Sequence, residues 1–224
     1  YFNDTFPTSS VFTVGTDSTV NANGGSYVAY IFGGGESNAA TARSVDFDGS
    51  GDYLNIPDHA DFDVGTNWTA ECWFRVDSIA SNQYHGIFSQ WDDVGSNGYH
   101  LSYIGTDLRF YYASSTYKIL GSPPANQWHH VAISKEGSTT RIFLNGVKVV
   151  DGFDMGTISS SSNFRIGRTG SSIDFPGEIS NVRIVKGTAV YTSSFKPSTT
   201  PLTAITNTKL LCCNNSSVTG STVT

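Results

Sequence analysis

Charge is scarce in this chain. Asp, Glu, Lys and Arg together make up 14% of 224 residues, the net charge is −6, and Lys and Arg nowhere cluster. Without a basic surface there are no condensed counterions to release from phosphate, which excludes a general nucleic-acid binder. No run of about 18 apolar residues occurs, so no helical membrane span is expected. Cysteine is limited to Cys72, Cys212 and Cys213, too few for a disulfide framework or a four-ligand zinc site. Cys72 shares a strand face with Trp68, Ala70, Phe74 and Val76 and reads as a small core residue. Adjacent Cys212 and Cys213 either form a strained vicinal disulfide or stay free thiols. In a strand they would point to opposite faces, which favours thiols. The single Met is Met155, and no basic-then-apolar leader opens the chain at Tyr1. The expectation is a processed chain or one stretch of a longer polypeptide.

Aromatics reach 13%, Gly numbers 23, and Ser, Thr and Asn are abundant. This composition suits an all-β extracellular or virion-surface protein rather than a helical cytosolic enzyme. The stretch 127–150, QWHHVAISKEGSTTRIFLNGVKVV, reads as three strands in a row. The last two meet at Asn145-Gly146, the pair that a two-residue type I′ turn demands because both positions need φ > 0. Val131, Ile133, Ile142 and Leu144 alternate with polar residues, so one face is buried and the other wetted.

Strands are expected from residue 44 onward at 44–48, 52–56, 68–77, 86–90, 98–104 and 107–113. Further strands are expected at 116–120, 128–135, 140–145, 146–150, 163–167 and 178–186. A short helical turn is expected near 57–62. Such spacing predicts a sandwich of two packed antiparallel sheets. Trp68, Phe74, Val131, Ile133, Ile142, Leu144 and Ile166 would lie between them. Residues 1–40 contain no Lys or Arg and hold one apolar burst at 27–32, an N-terminal extension before the main domain at 41–205. Residues 206–224 form a C-terminal strand, KLLCC, and a linker-like tail. Both outlying apolar segments need partners for their backbone groups, and a sandwich edge or a neighbouring copy would supply them.

The order of these pieces resembles the laminin-G-like/pentraxin branch of the concanavalin A-like jelly rolls. The matching motifs are SVDFDGSGDYLNIP (44–57), TAECWFRVD (69–77), IFSQWDD (87–93), NQWHHVAISKEGSTTRIFLNGVKV (126–149), FRIGR (164–168) and FPGEISNVRIVKG (175–187). The outer segments, 5–33, 187–202 and 208–224, resemble virion structural proteins of marine tailed phages, particularly cyanophages. There such modules recur along tail-fibre or capsid-decorating chains.

Asp48-Gly49-Ser50-Gly51-Asp52 imitates the start of a calcium loop. An EF-hand would need Gly and Glu where Tyr53 and His59 stand, and a tight inter-strand turn is the plainer reading. The resemblance implies a single Ca²⁺ at the sandwich rim, with Asp46, Asp48, Asp52 and Asn181 as the nearest ligands. Trp91, Asp92 and Asp93 lie in a loop, with Tyr99 close behind, as a sugar grip of aromatics beside carboxylates. Alternatively, Trp91 caps the core edge. His129-His130 cannot converge on one ion from adjacent strand positions and reads as packing.

Two classes of function stand. One is a non-catalytic virion module of a tail fibre or surface appendage, assembled with other virion subunits or copies of itself and touching host-surface glycan. A trimer is expected if it is a fibre. The other is a carbohydrate-binding or adhesion module of a secreted bacterial protein. Related jelly-roll glycosidases carry two closely spaced acids on one strand face, whereas Glu71, Glu178 and the consecutive Asp92-Asp93 do not make such a pair. No polysaccharide hydrolysis is therefore expected in a reducing-sugar assay. Turnover abolished by Glu71→Gln or Asp92→Asn would overturn that expectation.

Overall fold

The computed structural model describes residues 22–23, 44–78, 83–91, 97–113, 116–170, 174–214 and the backbone of 222–223. The chain divides after Glu36 into two compact units, and every strand described belongs to the second, Ser37–Thr224. The apolar burst at 27–32, Asp92 and Asp93 lie outside the described residues.

In chain order the strands are β1 (Val45–Asp48), β2 (Leu54–Ile56), β3 (Asn67–Val76), β4 (His85–Gln90) and β5 (Tyr99–Ile104). Then come β6 (Asp107–Tyr112), β7 (Thr116–Gly121), β8 (His129–Glu136), β9 (Thr139–Leu144) and β10 (Val147–Phe153). The last are β11 (Phe164–Ile166), β12 (Pro176–Lys186), β13 (Thr208–Cys212) and β14 (Thr222–Val223). One 3₁₀ turn, Ala60–Phe62, is capped by His59 Nδ1, which accepts from Asp61 N. Each strand expected from residue 44 onward appears within a few residues of its expected position.

They pair into two antiparallel sheets. The larger runs β10-β9-β8-β3-β12-β13-β14, with β1 also on β12; the smaller runs β2-β11-β4-β5-β6-β7. Between them lie Trp68, Ala70, Cys72 and Phe74 of β3, Val131 and Ile133 of β8, and Ile142 of β9, facing Phe88, Leu101, Phe110, Phe164 and Ile166. Leu144 packs on this core from its margin. Period-2 alternation fixes which residues enter, because a one-residue slip would turn every side chain to the other face. The C-terminal KLLCC segment does add a strand, β13, to β12.

One position breaks the alternation. Asn181 has φ 54, and the β12–β3 register shifts between Ser180 and Arg183. This is a bulge, in which one extra residue reverses the parity of the strand beyond it. Ile179 points inward before the bulge, and Val182 and Ile184 point inward after it.

Residues 188–207 then run without regular structure across the outer face of the larger sheet. Val190 N donates to Thr69 Oγ1 (2.9 Å), Tyr191 N to Ser134 Oγ (3.3 Å) and Leu202 N to Asn181 Oδ1 (2.7 Å). Tyr191 and Phe195 stack on each other at 3.7 Å, and Phe195 meets Phe143 edge-on at 5.4 Å. This strap also explains the hairpin glycine. Asn145 (φ 51) and Gly146 (φ 78) make the left-handed turn as expected, and Phe195 N donates to Gly146 O at 2.9 Å. A Cβ on Gly146 would fall well inside van der Waals contact of the Phe195 carbonyl. Gly146→Ala should therefore destabilise the protein by about 2–4 kcal/mol, combining left-handed strain with displacement of the strap. Urea unfolding with an unchanged midpoint would show that the strap does not dock there.

Candidate functional site

The two sheets present different outer faces. On the larger sheet, Glu71 of β3 stands opposite Arg183 of β12, with His130 of β8 and Tyr191 of the strap around it. Arg183 donates to Glu71 Oε1 from Nε (2.8 Å) and Nη2 (2.5 Å). His130 Nε2 (3.2 Å) and Tyr191 Oη (2.8 Å) reach Glu71 Oε2. Glu71 has no exposed surface. Burial by itself would raise its pKa. The hydrogen bond from His130 and the charges of His130 and Arg183 outweigh that and hold it below the ordinary carboxylate range. Both carboxylate oxygens are engaged by these neighbours, so this carboxylate anchors the strap.

The smaller sheet has no such cover among the described residues, and one cross-strand row spans all six of its strands. Its members, by register, are Asn55, Arg165, Ser89, His100, Tyr111 and Tyr117. Strands lie about 4.8 Å apart, so the row is roughly 24 Å long. His100 stacks flat on Tyr111 at 4.5 Å, Tyr111 meets Tyr117 at 4.9 Å, and Trp91 stands edge-on to His100 at 5.0 Å. Tyr84 packs on both His100 and Tyr111. The floor of the row (Ser89, His100, Tyr111) is buried, while Tyr84 is 40% and Tyr117 42% exposed. Arg109, in the adjacent row, lies 5.1 Å over the Tyr117 ring and pairs with Asp107 at 2.9 Å. Burial raises the pKa of the Tyr111 hydroxyl; Arg109 opposes this and Tyr84 adds to it, so Tyr111 remains a neutral donor and acceptor. Arg165 Nη1 donates to the Trp91 carbonyl at 3.0 Å, fixing the backbone that carries the indole. Aromatic surface flanked by hydroxyls and guanidinium donors is chemistry that grips sugar rings: faces stack and hydroxyls find partners.

The expected site residues fare unevenly. Trp91 does join this aromatic face. Tyr99 does not: it is 0% exposed, its ring packs edge-on to Trp68 in the core, and its hydroxyl donates to Phe62 O at 2.9 Å. A ring with no accessible face has none to offer a sugar. The alternation of β5 is the reason, since Tyr99 shares its parity with Leu101 and Tyr103, and His100 takes the outer side.

The four residues expected to ligate Ca²⁺, Asp46, Asp48, Asp52 and Asn181, are not brought together. Asn181 is buried at the bulge, its Oδ1 taken by Leu202 N and its Nδ2 by Ser180 Oγ. It lies three positions along β12 from Glu178, the partner of Asp46, or roughly 10 Å away. Asp48 Oδ1 accepts from Ser50 N (2.7 Å), closing a tight turn after β1. Beside Asp46 the cation is already in place, because Arg75 pairs with Glu178 and Asp77 and feels the Asp46 charge. Among the described residues, no group of three or more His, Cys, Asp or Glu side chains is placed to hold a metal ion.

Sequence reasoning missed His100, Tyr111, Tyr117, Arg109 and Arg165. Strand parity does mark them, since Tyr111-Tyr112 must split between faces, but the register that aligns them includes pairings between strands distant in the chain, β11 with β2 and β4.

A jelly roll of two antiparallel sheets, the outer face of the larger one crossed by residues 188–207, defines the class. The chain belongs to the concanavalin A-like lectin/glucanases superfamily, whose laminin-G-type family model matches residues 48–190. Among solved structures it is similar to domain 4 of AbnA, an extracellular GH43 arabinanase from Geobacillus stearothermophilus, in complex with arabinotriose. That match has a TM-score of 0.50 at 18% identity, covering 66% of this chain and 77% of that one. It is also similar to Trypanosoma rangeli sialidase in complex with sialic acid, at a TM-score of 0.53 and 16% identity, covering 66% of this chain and 26% of the sialidase. At such identities the likeness is one of fold. No curated protein sequence matches the chain.

The buried cluster makes its own prediction. The folded pKa of Glu71 is depressed, so its stabilising contribution is fully present above the unfolded value of about 4.3 and is lost as pH falls through the folded one. Glu71→Gln should cost about 3–5 kcal/mol at neutral pH, because it strands Arg183. In urea titrations at a series of pH values, the gap between wild type and variant should be constant above about pH 5 and narrow progressively as pH falls below about 4. A gap independent of pH would mean that folding leaves the Glu71 pKa unshifted, and a gap that shrinks as pH rises through about 4–5 would mean that Glu71 is neutral in the fold.

Proposed function

We propose that this chain is a non-catalytic, glycan-contacting module, carried on a virion as part of a tail fibre or similar appendage. The observation that carries the glycan reading is the aromatic row of the smaller sheet, with Trp91, Tyr84 and Tyr117 standing above its buried floor. Non-catalytic action is supported by the chemistry of that row, whose six members include no carboxylate. It is further supported by Glu71, which is occupied by Arg183, His130 and Tyr191. The superfamily contains lectins as well as glucanases, so fold membership leaves the choice to the site.

The virion context is supported by the low-charge, Ser/Thr/Asn-rich composition and by the phage-like character of the outer segments. In that setting a homo-oligomer, a trimer if the appendage is a fibre, gathers weak contacts into avidity. Strands β7 and β10 expose Ile119, Val147 and Val149, apolar side chains suited to contact with a neighbouring subunit. The second reading is a carbohydrate-binding module of a secreted bacterial protein. It is favoured by the likeness to domain 4 of an extracellular arabinanase.

Binding should appear on an array of neutral and acidic oligosaccharides that includes arabinotriose and sialylated sugars. Trp91→Ala and Tyr117→Ala should each weaken it about 3–10-fold by calorimetry, the loss of one stacking contact, with unfolding unchanged. Absence of binding to every glycan, or binding indifferent to both substitutions, would sink the glycan reading. Antibodies against the chain that label a bacterial secretome and never a phage particle would move the assignment to the second reading.

A further inference from the structure

Cys212 ends β13 and Cys213 follows it with φ 57, in the left-handed region. In a continuing strand their side chains would leave on opposite faces. The two are free thiols as expected, but the left-handed step brings Cys213 Sγ to 3.8 Å from Cys212 Sγ, so they lie side by side rather than on opposite faces. The pair is held in place: the Cys213 carbonyl accepts from Asn181 N (2.9 Å) and from Ser180 Oγ (3.3 Å), the residues of the β12 bulge. Cys212 is buried in the core, while Cys213 is half-exposed. Cys72, on β3, lies near enough to feel both sulfurs electrostatically but is fully buried.

We propose that Cys212 and Cys213 form a redox-active dithiol, oxidised by hydroperoxides to a reversible vicinal disulfide, with Cys72 left reduced. Cys213, the less buried of the two residues, reacts first. Its sulfur attacks the peroxide and the O–O bond breaks; one oxygen stays on the sulfur as a sulfenic acid, and the other leaves as alcohol or water, taking up the Cys213 thiol proton. The Cys212 sulfur then attacks the sulfenic sulfur, an S–S bond forms, and water leaves with the Cys212 proton. The peroxide supplies both oxidising equivalents, so the balance closes.

Closure needs the sulfurs to move from 3.8 Å to about 2.05 Å. Consecutive Cα atoms are about 3.8 Å apart, below the usual disulfide range of about 4.4–6.8 Å, so the bridge is strained. Strained, accessible disulfides are the readily reduced ones. This bridge would therefore switch with the redox poise around it. Its backbone partners tie it to the strap, because Asn181 Oδ1 holds Leu202 N and Asn214 Nδ2 holds Leu202 O.

The test is mass spectrometry of the full chain, reduced and then exposed to stoichiometric hydrogen peroxide. The expected product is a monomer about 2 Da lighter that has lost two of its three alkylatable thiols. Both lost thiols should map to the tryptic peptide that begins at Leu210, and reduced glutathione should restore them. Cys213→Ser should abolish the two-thiol loss and Cys72→Ser should leave it intact. If a variant does not fold, the wild-type peptide map decides alone. A Cys72–Cys212 bridge, an intermolecular dimer through Cys213, or accumulation of sulfinic and sulfonic acids at Cys213 would each overturn the proposal.

Discussion

The buried ion pair between Glu71 and Arg183 governs how the two faces of this protein are used. Two charges in the middle of a sheet face are costly unless that face is sealed and every partner is in place. Here the seal is the chain itself. Tyr191 donates to Glu71, Arg183 Nη1 donates to Thr203 O (3.1 Å), and the aromatic pair Tyr191–Phe195 covers the remainder. The residues between β12 and β13 are thereby committed to the larger sheet. A sandwich has two outer faces, and one of them is closed here by its own covalent chain.

That division accounts for the opposite character of the two polar clusters. Under the strap, the charges of Glu71 and Arg183 neutralise each other within the fold. On the smaller sheet the arrangement is graded. His100 and Tyr111 form a stacked, buried base, while Tyr84 and Tyr117 rise from it partly exposed, and Arg109 lies against the Tyr117 ring. Stacking among the ring side chains fixes their rotamers before any ligand arrives. Little conformational entropy is then left to lose on binding. A rigid aromatic ramp suits weak, repeated contact better than enclosure of a single small molecule.

Much of this is legible from the residues alone. The alternation of Val131, Ile133, Ile142 and Leu144, the Asn145-Gly146 turn and the spacing of strands specify the sandwich and its core, because those signals are local and of period 2. The site is legible only in part. Trp91 stands out as an aromatic in a loop, but Tyr99, close to it in sequence, belongs to the opposite face of its strand. The row from Asn55 to Tyr117 draws on six strands, with members as far apart in the chain as Asn55 and Arg165, and only the cross-strand register assembles it. The Glu71 cluster is hidden for the same reason, with His130, Arg183 and Tyr191 lying 59, 112 and 120 residues further along the chain.

Asn181 shows how one residue joins these levels. If β12 alternated without interruption from Ile179, residue 183 would point inward and residue 184 outward. Arg183 would then enter the apolar core, Ile184 would face the strap, and Glu71 would be left without its guanidinium. The extra residue at Asn181, tolerated because Asn enters the left-handed region readily, reverses the parity and delivers Arg183 to Glu71. Its side chain then receives Leu202 of the strap, and its amide binds the Cys213 carbonyl. A residue that sequence reasoning assigns to a metal is instead the joint at which the sheet register, the strap that closes one face and the paired thiols are fixed together. Its side-chain oxygen is used internally, which is why it has none to offer a cation.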